Sequence, residues 1–245
     1  MNVSSCKYSL PRDGFEIVER VLCHEECEEL RGAVAELPCR HRGGVRNLLQ
    51  NSEAIAALAT SGPVIDLADA ALGAPAFPVR ALLFDKALAA NWKVPWHQDT
   101  AIAVAERAEA PGFVGWSVKD GVMHVHPPVN ILERMVAVRI HLDDCEPDNG
   151  PLRVLPGSHR HGKLEEAEIE RWRPTTGEVS CCLAQGDVLL MRPLLLHASS
   201  PAKSPSHRRV IHLEYAGKPL PNGLHWYERT SSASYSLDFN LLPLP

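Results

Sequence analysis

His97 and Asp99 stand two apart in the run Trp96-His97-Gln98-Asp99, His197 follows about a hundred residues later, and Arg208 lies eleven positions beyond it. Two imidazoles and one carboxylate on one face of an ion are the donor set of a mononuclear Fe(II) centre. They leave three positions open, enough for a bidentate 2-oxo acid and O₂. A guanidinium suits the far carboxylate of such an acid, because its planar fork makes a two-point contact. On an extended strand residues two apart share a face, so His97 and Asp99 can grip one ion while Gln98 points the other way. The third donor must come from elsewhere in the fold. A rival pair, His141-Leu142-Asp143, precedes the same His197 and Arg208. Chance placement in a chain of this composition yields about half a His-x-Asp, so spacing leaves both pairs open.

The elements that must position these groups fall into two regions. The first, residues 1–75, reads as mainly helical after a short strand at 14–21. His24 to Leu37 carries Cys27, Leu30, Val34 and Leu37 at helical spacing, with Pro38 to end it. Ser52 and Ser61 stand as N-caps before helices at 53–59 and 63–72, the second opened by Pro63. From 79 to 217 short apolar runs alternate with Pro, Gly and Asp, the pattern of strands joined by turns. Met135 to Leu142 sends Val136, Val138, Ile140 and Leu142 to one face and Ala137, Arg139 and His141 to the other. Further strands are expected at 186–190 and 208–215; on the latter Arg208, Val210, His212 and Glu214 share a face and Arg209 points away. Residues 100–128, rich in Ala, Gly and charge with little strand periodicity, read as a long insertion that serves as a lid. The fold class expected is mainly β, a double-stranded β-helix or jelly roll with N-terminal helices packed outside, in one domain spanning 1–245.

Bulk properties exclude several function classes. The chain has 245 residues, 45% hydrophobic and 22% charged, with a net charge of −5, which offers no broad attraction for nucleic acid or an anionic membrane. No run of eighteen apolar residues and no N-terminal apolar core of a leader is present, and seven scattered cysteines form no zinc-type pairs. A cytoplasmic protein with free thiols, acting on a small molecule, is the expectation; oligomeric state is not legible.

The wider pattern decides between the two His-x-Asp pairs. Leu142-Asp143-Asp144-Cys145, Asn149-Gly150-Pro151-Leu152, Val154-Leu155-Pro156-Gly157-Ser158-His159 and Gly186-Asp187 before His197 resemble the phytanoyl-CoA dioxygenase family. The resemblance runs from about residue 81 to 215. In that family the metal-binding His-x-Asp precedes the Leu-Asp-Asp and Pro-Gly-Ser-His segments, which implies His97 and Asp99. The distal histidine falls at His197 and the 2-oxoglutarate arginine at Arg208, with Ser199 beside it on the co-substrate's far carboxylate. The resemblance thus implies an Fe(II)- and 2-oxoglutarate-dependent dioxygenase that uses O₂ to hydroxylate a small molecule and releases succinate. A retained Asp99 implies hydroxylation, since related halogenases replace that carboxylate by a small residue. The chain departs from the animal founding members at 86–96 and 100–128, so the resemblance does not fix whether the substrate is a CoA thioester. A non-enzymatic metabolite-binding jelly roll and a redox-independent metal-dependent cupin enzyme are the alternatives.

Other residues carry weaker readings. Arg139 and His141 face inward; Lys86 and Asn91 fit a pocket, and Trp116 and Lys119 sit in the insertion. His124-Val125-His126 reads as surface or lid histidines, Trp92 and Trp96 as packing. His159 and His161 open a turn or short helix with Ser158 as its cap.

Overall fold

The computed structural model describes residues 7–37, 44–87, 90–172, 177–203 and 207–228. Pro38, Cys6 and Cys39 lie outside them; the five cysteines within them are free thiols. In chain order the strands among the described residues are β1 (Phe15–Val18), β2 (Phe77–Lys86), β3 (Val94–His97), β4 (Ile102–Val104), β5 (Val114–Lys119), β6 (Val122–His126), β7 (Met135–His141), β8 (Leu152–Val154), β9 (Val179–Cys181), β10 (Val188–Met191), β11 (His197–Ser199) and β12 (Arg208–Ala216). They form a five-stranded antiparallel sheet in the order β1-β10-β7-β12-β2, a four-stranded sheet β3-β11-β8-β9 and a three-stranded sheet β4-β6-β5.

The five-stranded sheet is covered on both faces, which is why β7 and β12 read as nearly continuous buried runs. Its outer face packs Val136, Val138, Ile140 and Leu213 against helices His24–Ala35, Glu53–Ala59 and Gly62–Leu72, through Leu30, Ile55, Leu58, Val64 and Ala68. Burying such a side chain contributes about 1.5–3 kcal/mol. Its inner face shares Phe15, Ala137, Leu189 and Met191 with Leu152 and Val154 of the four-stranded sheet. The expected mainly-β jelly roll with helices outside is therefore the observed architecture. The alternation expected of 135–142 holds: the odd-numbered side, with Ala137 and Arg139, turns inward.

Helix bounds match closely, and the caps divide. Ser52 accepts from the Ile55 N–H at 3.4 Å, as an N-cap should. Ser61 stands at the N-cap position of its helix, as expected, but its side chain makes no capping bond; its hydroxyl donates instead to the Leu58 carbonyl at 2.8 Å, in the last turn of the preceding helix. Ser158 is no cap. It is the first residue of the 3₁₀ turn Ser158–His161, and its Oγ accepts from the Leu196 N–H at 2.9 Å.

Residues 100–128 differ from the expected irregular insertion, since they contain all three strands of the third sheet. The strand period is hidden by a register slip between Val114 and Ser117. There Gly115 takes φ +66° against the His126 ring, where a Cβ would come within 2.7 Å. Asp120 and Gly121 close the β5–β6 hairpin with φ of 50° and 79°, the two left-handed residues that a tight primed turn requires.

Candidate metal centre

Antiparallel pairing of β3 with β11 sets His97 directly opposite His197. Asp99 follows just past the end of β3, where its backbone N–H donates to the Pro193 carbonyl at 2.8 Å. Gln98, pointing away, holds that bend: its amide donates to the Gly162 and Leu194 carbonyls and accepts from the Leu164 N–H. The three side chains converge, their donor atoms all within 4.8 Å of one another. His97 Nε2 lies 3.6 Å from one Asp99 oxygen, and His197 Nε2 3.5 Å from the other.

The converging donors suit a cation. Nδ1 of His97 donates to the Pro95 carbonyl and Nδ1 of His197 to the Leu195 carbonyl, both at 2.9 Å, which turns each Nε2 toward the carboxylate. Burial lowers His97, but Asp99 more than offsets it and holds that ring above its ordinary value, as the carboxylate would equally favour a metal ion in the proton's place. Burial pushes His197 down to about 4, only partly offset by Asp99, and so keeps it a neutral ligand. Burial alone would raise the Asp99 carboxyl, but His197 and His97 hold it well below the usual carboxylate range. The residues present therefore fit Fe(II) bound by two imidazoles and a carboxylate.

The rival pair is not assembled. Asp143 faces outward into a fork from Arg209, at 2.8 and 2.6 Å, so Arg209 points away from the cavity as expected. His141 is buried, with Nδ1 unpartnered among the described residues, and burial followed by Arg139 pushes it down to about 3.

The triad opens into a cavity of about 420 Å³. At its closed end β12 pairs with β2 so that Arg208 stands opposite Lys86, and Ser199, two residues after His197 on the same face of β11, accepts from Lys86 Nζ at 2.9 Å. Arg208 donates to the Gly150 carbonyl and leaves its Nε without a partner among the described residues; so does Arg139, whose other nitrogen donates to His212 Nδ1 at 2.8 Å. Burial, then Arg208, pushes Lys86 down to about 8. Lys86, Arg139 and Arg208 form a buried cationic pole with no carboxylate ion-paired to them among the described residues, which suits a small dianion.

The remaining candidates divide. Lys86, Lys119, Arg139 and Trp92 line the cavity. Asn91 does not, because its amide is occupied by both backbone groups of Ala202. Trp116 packs on the lid sheet against Arg107, and Trp96 against Arg153. His124 is buried within the lid rather than at the surface, and His126 lines the cavity. Sequence reasoning missed Arg80 and Arg46. The period of two gives Arg80, Leu82, Phe84 and Lys86 one face of β2, all on the cavity, so Arg80 was legible from Lys86; Arg46, in an irregular segment, carries no such signal.

Known proteins resemble this chain in sequence and fold. An L-proline trans-4-hydroxylase from Streptomyces griseoviridis is 26% identical over 66% of this chain and 63% of its own length, so the chain matches under two thirds of that relative. An ectoine dioxygenase from Nocardia farcinica is 26% identical over 83% of this chain and 74% of its own. The solved structure of EctD from S. alaskensis with 2-oxoglutarate and 5-hydroxyectoine superposes with a TM-score of 0.66 at 20% identity, covering 89% of this chain and 79% of that one, which supports the fold. Residues 10–210 match the profile described as Phytanoyl-CoA dioxygenase (PhyH), and the chain belongs to that family.

Proposed function

We propose that this protein is an Fe(II)- and 2-oxoglutarate-dependent dioxygenase that hydroxylates a small molecule. His97, Asp99 and His197 hold the metal, and Arg208, Ser199 and Lys86 receive the far carboxylate of 2-oxoglutarate. One observation carries the reading: a three-donor cation site opens into a cavity whose closed end presents buried, uncompensated cations. Iron bound there supplies the oxidative chemistry with O₂, converting 2-oxoglutarate to succinate and carbon dioxide. Arg208 fixes the co-substrate by a planar two-point contact, and Ser199, already hydrogen-bonded to Lys86, steadies that end. Leu82, Phe84 and Leu152 give the cavity apolar walls that limit water beside the triad. The β4-β6-β5 sheet borders the cavity, with His126 lining it and the solvent-exposed Lys119 at its rim.

The relatives named for proline and ectoine support a small-molecule substrate. No single helix among the described residues is long and apolar enough to cross a membrane. Free thiols at the five described cysteines suit a reducing cytoplasm. A single domain accounts for the described elements.

Anaerobic titration with Fe(II) and 2-oxoglutarate is expected to give a weak visible charge-transfer band. His97→Ala abolishes that band and His141→Ala retains it. A folded wild-type protein with no band refutes the proposal, and loss of the band in His141→Ala alone reinstates the rival ligand pair.

A further inference from the structure

The cavity has two cationic ends. On the same pair of strands, Arg208 stands opposite Lys86 at the closed end and Glu214 opposite Arg80 at the open end. Six residues of strand separate the two pairs, roughly 20 Å at the usual rise, so one small dianion cannot answer both. Asp99 borders His212 and Glu214, which sets the metal donors between the two ends and nearer the open one.

Three separate elements deliver cations to that open end. Arg80 comes from β2. Arg46 comes from a segment stitched to β2 by two hydrogen bonds of 2.9 Å between Val45 and Leu83. Lys119 comes from the last residue of β5, beside the hairpin turn. Two carboxylates answer them: Glu214 pairs with Arg80 and Asp120 with Arg46, each at 3.0 Å. Lys119 has no ion-pair or hydrogen-bond partner among the described residues, so this wall keeps one positive charge in surplus. Burial, and then the neighbouring guanidinium groups, push both Arg46 and Lys119 below their ordinary range; the three cations crowd one another. An anion entering between them relieves that repulsion.

Resting on the dioxygenase reading above, we infer that the substrate is a short molecule bearing one carboxylate, held at the open end by Lys119 with Arg46 and Arg80 while its carbon to be oxidised faces His97, Asp99 and His197. The surplus of one charge selects a monoanion over a phosphate monoester, and the nearness of Asp99 to Glu214 and Lys119 of this wall selects a compact molecule. The Arg46–Asp120 pair ties the hairpin tip to the N-terminal segment, so the two parts of the grip are held in register.

The test uses the full chain loaded with Zn(II) and saturating 2-oxoglutarate, which fills the closed end. Saturation-transfer NMR is recorded with N-acetyl-L-proline, benzoate and valerate, with their primary amides, and with phenyl phosphate. Contact is expected for the carboxylates over the amides and over phenyl phosphate. Lys119→Ala and Arg46→Ala should each weaken it roughly tenfold or more, and Lys119→Arg should restore most of it. Equal contact by the amides, preference for phenyl phosphate, no carboxylate contact, or indifference to both alanine variants overturns the inference. The Fe(II) and 2-oxoglutarate band, recorded anaerobically on metal-free aliquots of the same protein before any zinc is added, separates the two failures: band present with carboxylates ignored sinks only this inference, and band absent sinks the dioxygenase reading itself.

Discussion

Asp99 sets the charge balance of the centre. In the proposed centre one carboxylate would neutralise half of a divalent ion, and His197 is held neutral by burial, so a metal there would keep a positive charge that favours a dianionic co-substrate. On that reading Arg208 sets how the co-substrate lies. Its guanidinium is anchored by the Gly150 carbonyl and lines the cavity, with Nε lacking a partner among the described residues. Arg208→Lys keeps the charge but gives up the planar fork, so KM for 2-oxoglutarate should rise roughly tenfold or more, with a much smaller change in kcat at saturation. Succinate formation against 2-oxoglutarate concentration measures both; an unchanged KM would remove Arg208 from this role. The donor types at 97, 99 and 197 were legible because chemistry restricts them. Which of two His-x-Asp pairs serves was not legible from spacing, since both share the same downstream partners.

At the scale of elements, the turn before β8 supports the closed end. Gly150 takes φ +62°, and a Cβ there would meet the Ser200 carbonyl at 2.5 Å. Gly150→Ala should therefore cost about 1–3 kcal/mol of stability and, by shifting the carbonyl that anchors Arg208, raise the 2-oxoglutarate KM as well. Thermal denaturation and steady-state kinetics read the two effects; a variant as stable as wild type would show that this turn relaxes freely. The elements best read from sequence were those with a clear local signal: the helix Glu53–Ala59, opened by the Ser52 cap, and strand β7, with its unbroken period of two. The lid sheet escaped, because β5 exposes most of its residues and slips register at Gly115, which erases the contrast between an inner and an outer face.

Across the whole molecule, the returning segment 218–228 closes the fold through Glu228. This carboxylate is 1% exposed and accepts from the Leu49 N–H at 3.0 Å and the Ala81 N–H at 2.9 Å, joining the helix Leu48–Asn51 to β2. Burial still pushes its carboxyl up to about 7. Because the folded state holds this proton more tightly than the unfolded chain, Glu228 makes stability fall as pH rises from its ordinary value near 4.5 through about 7, with no further loss above. Glu228→Gln should remove that decline, which thermal melts between about pH 5 and 8 will show; an unaltered pH slope in the variant would contradict it. Local sequence determined which side chains could bind a cation and a keto acid, where the helices run and which face of each long strand turns inward, because these follow from residue chemistry and periods spanning a few positions. Spacing left open whether His197 meets His97 or His141; the family resemblance implied His97 and the tertiary structure brings the two together, while the tertiary structure alone decided that Arg46, Arg80 and Lys119 gather on one wall. Those meetings depend on strand registers between residues tens to a hundred positions apart, where pairing is set by the packing of whole sheets and leaves no local pattern.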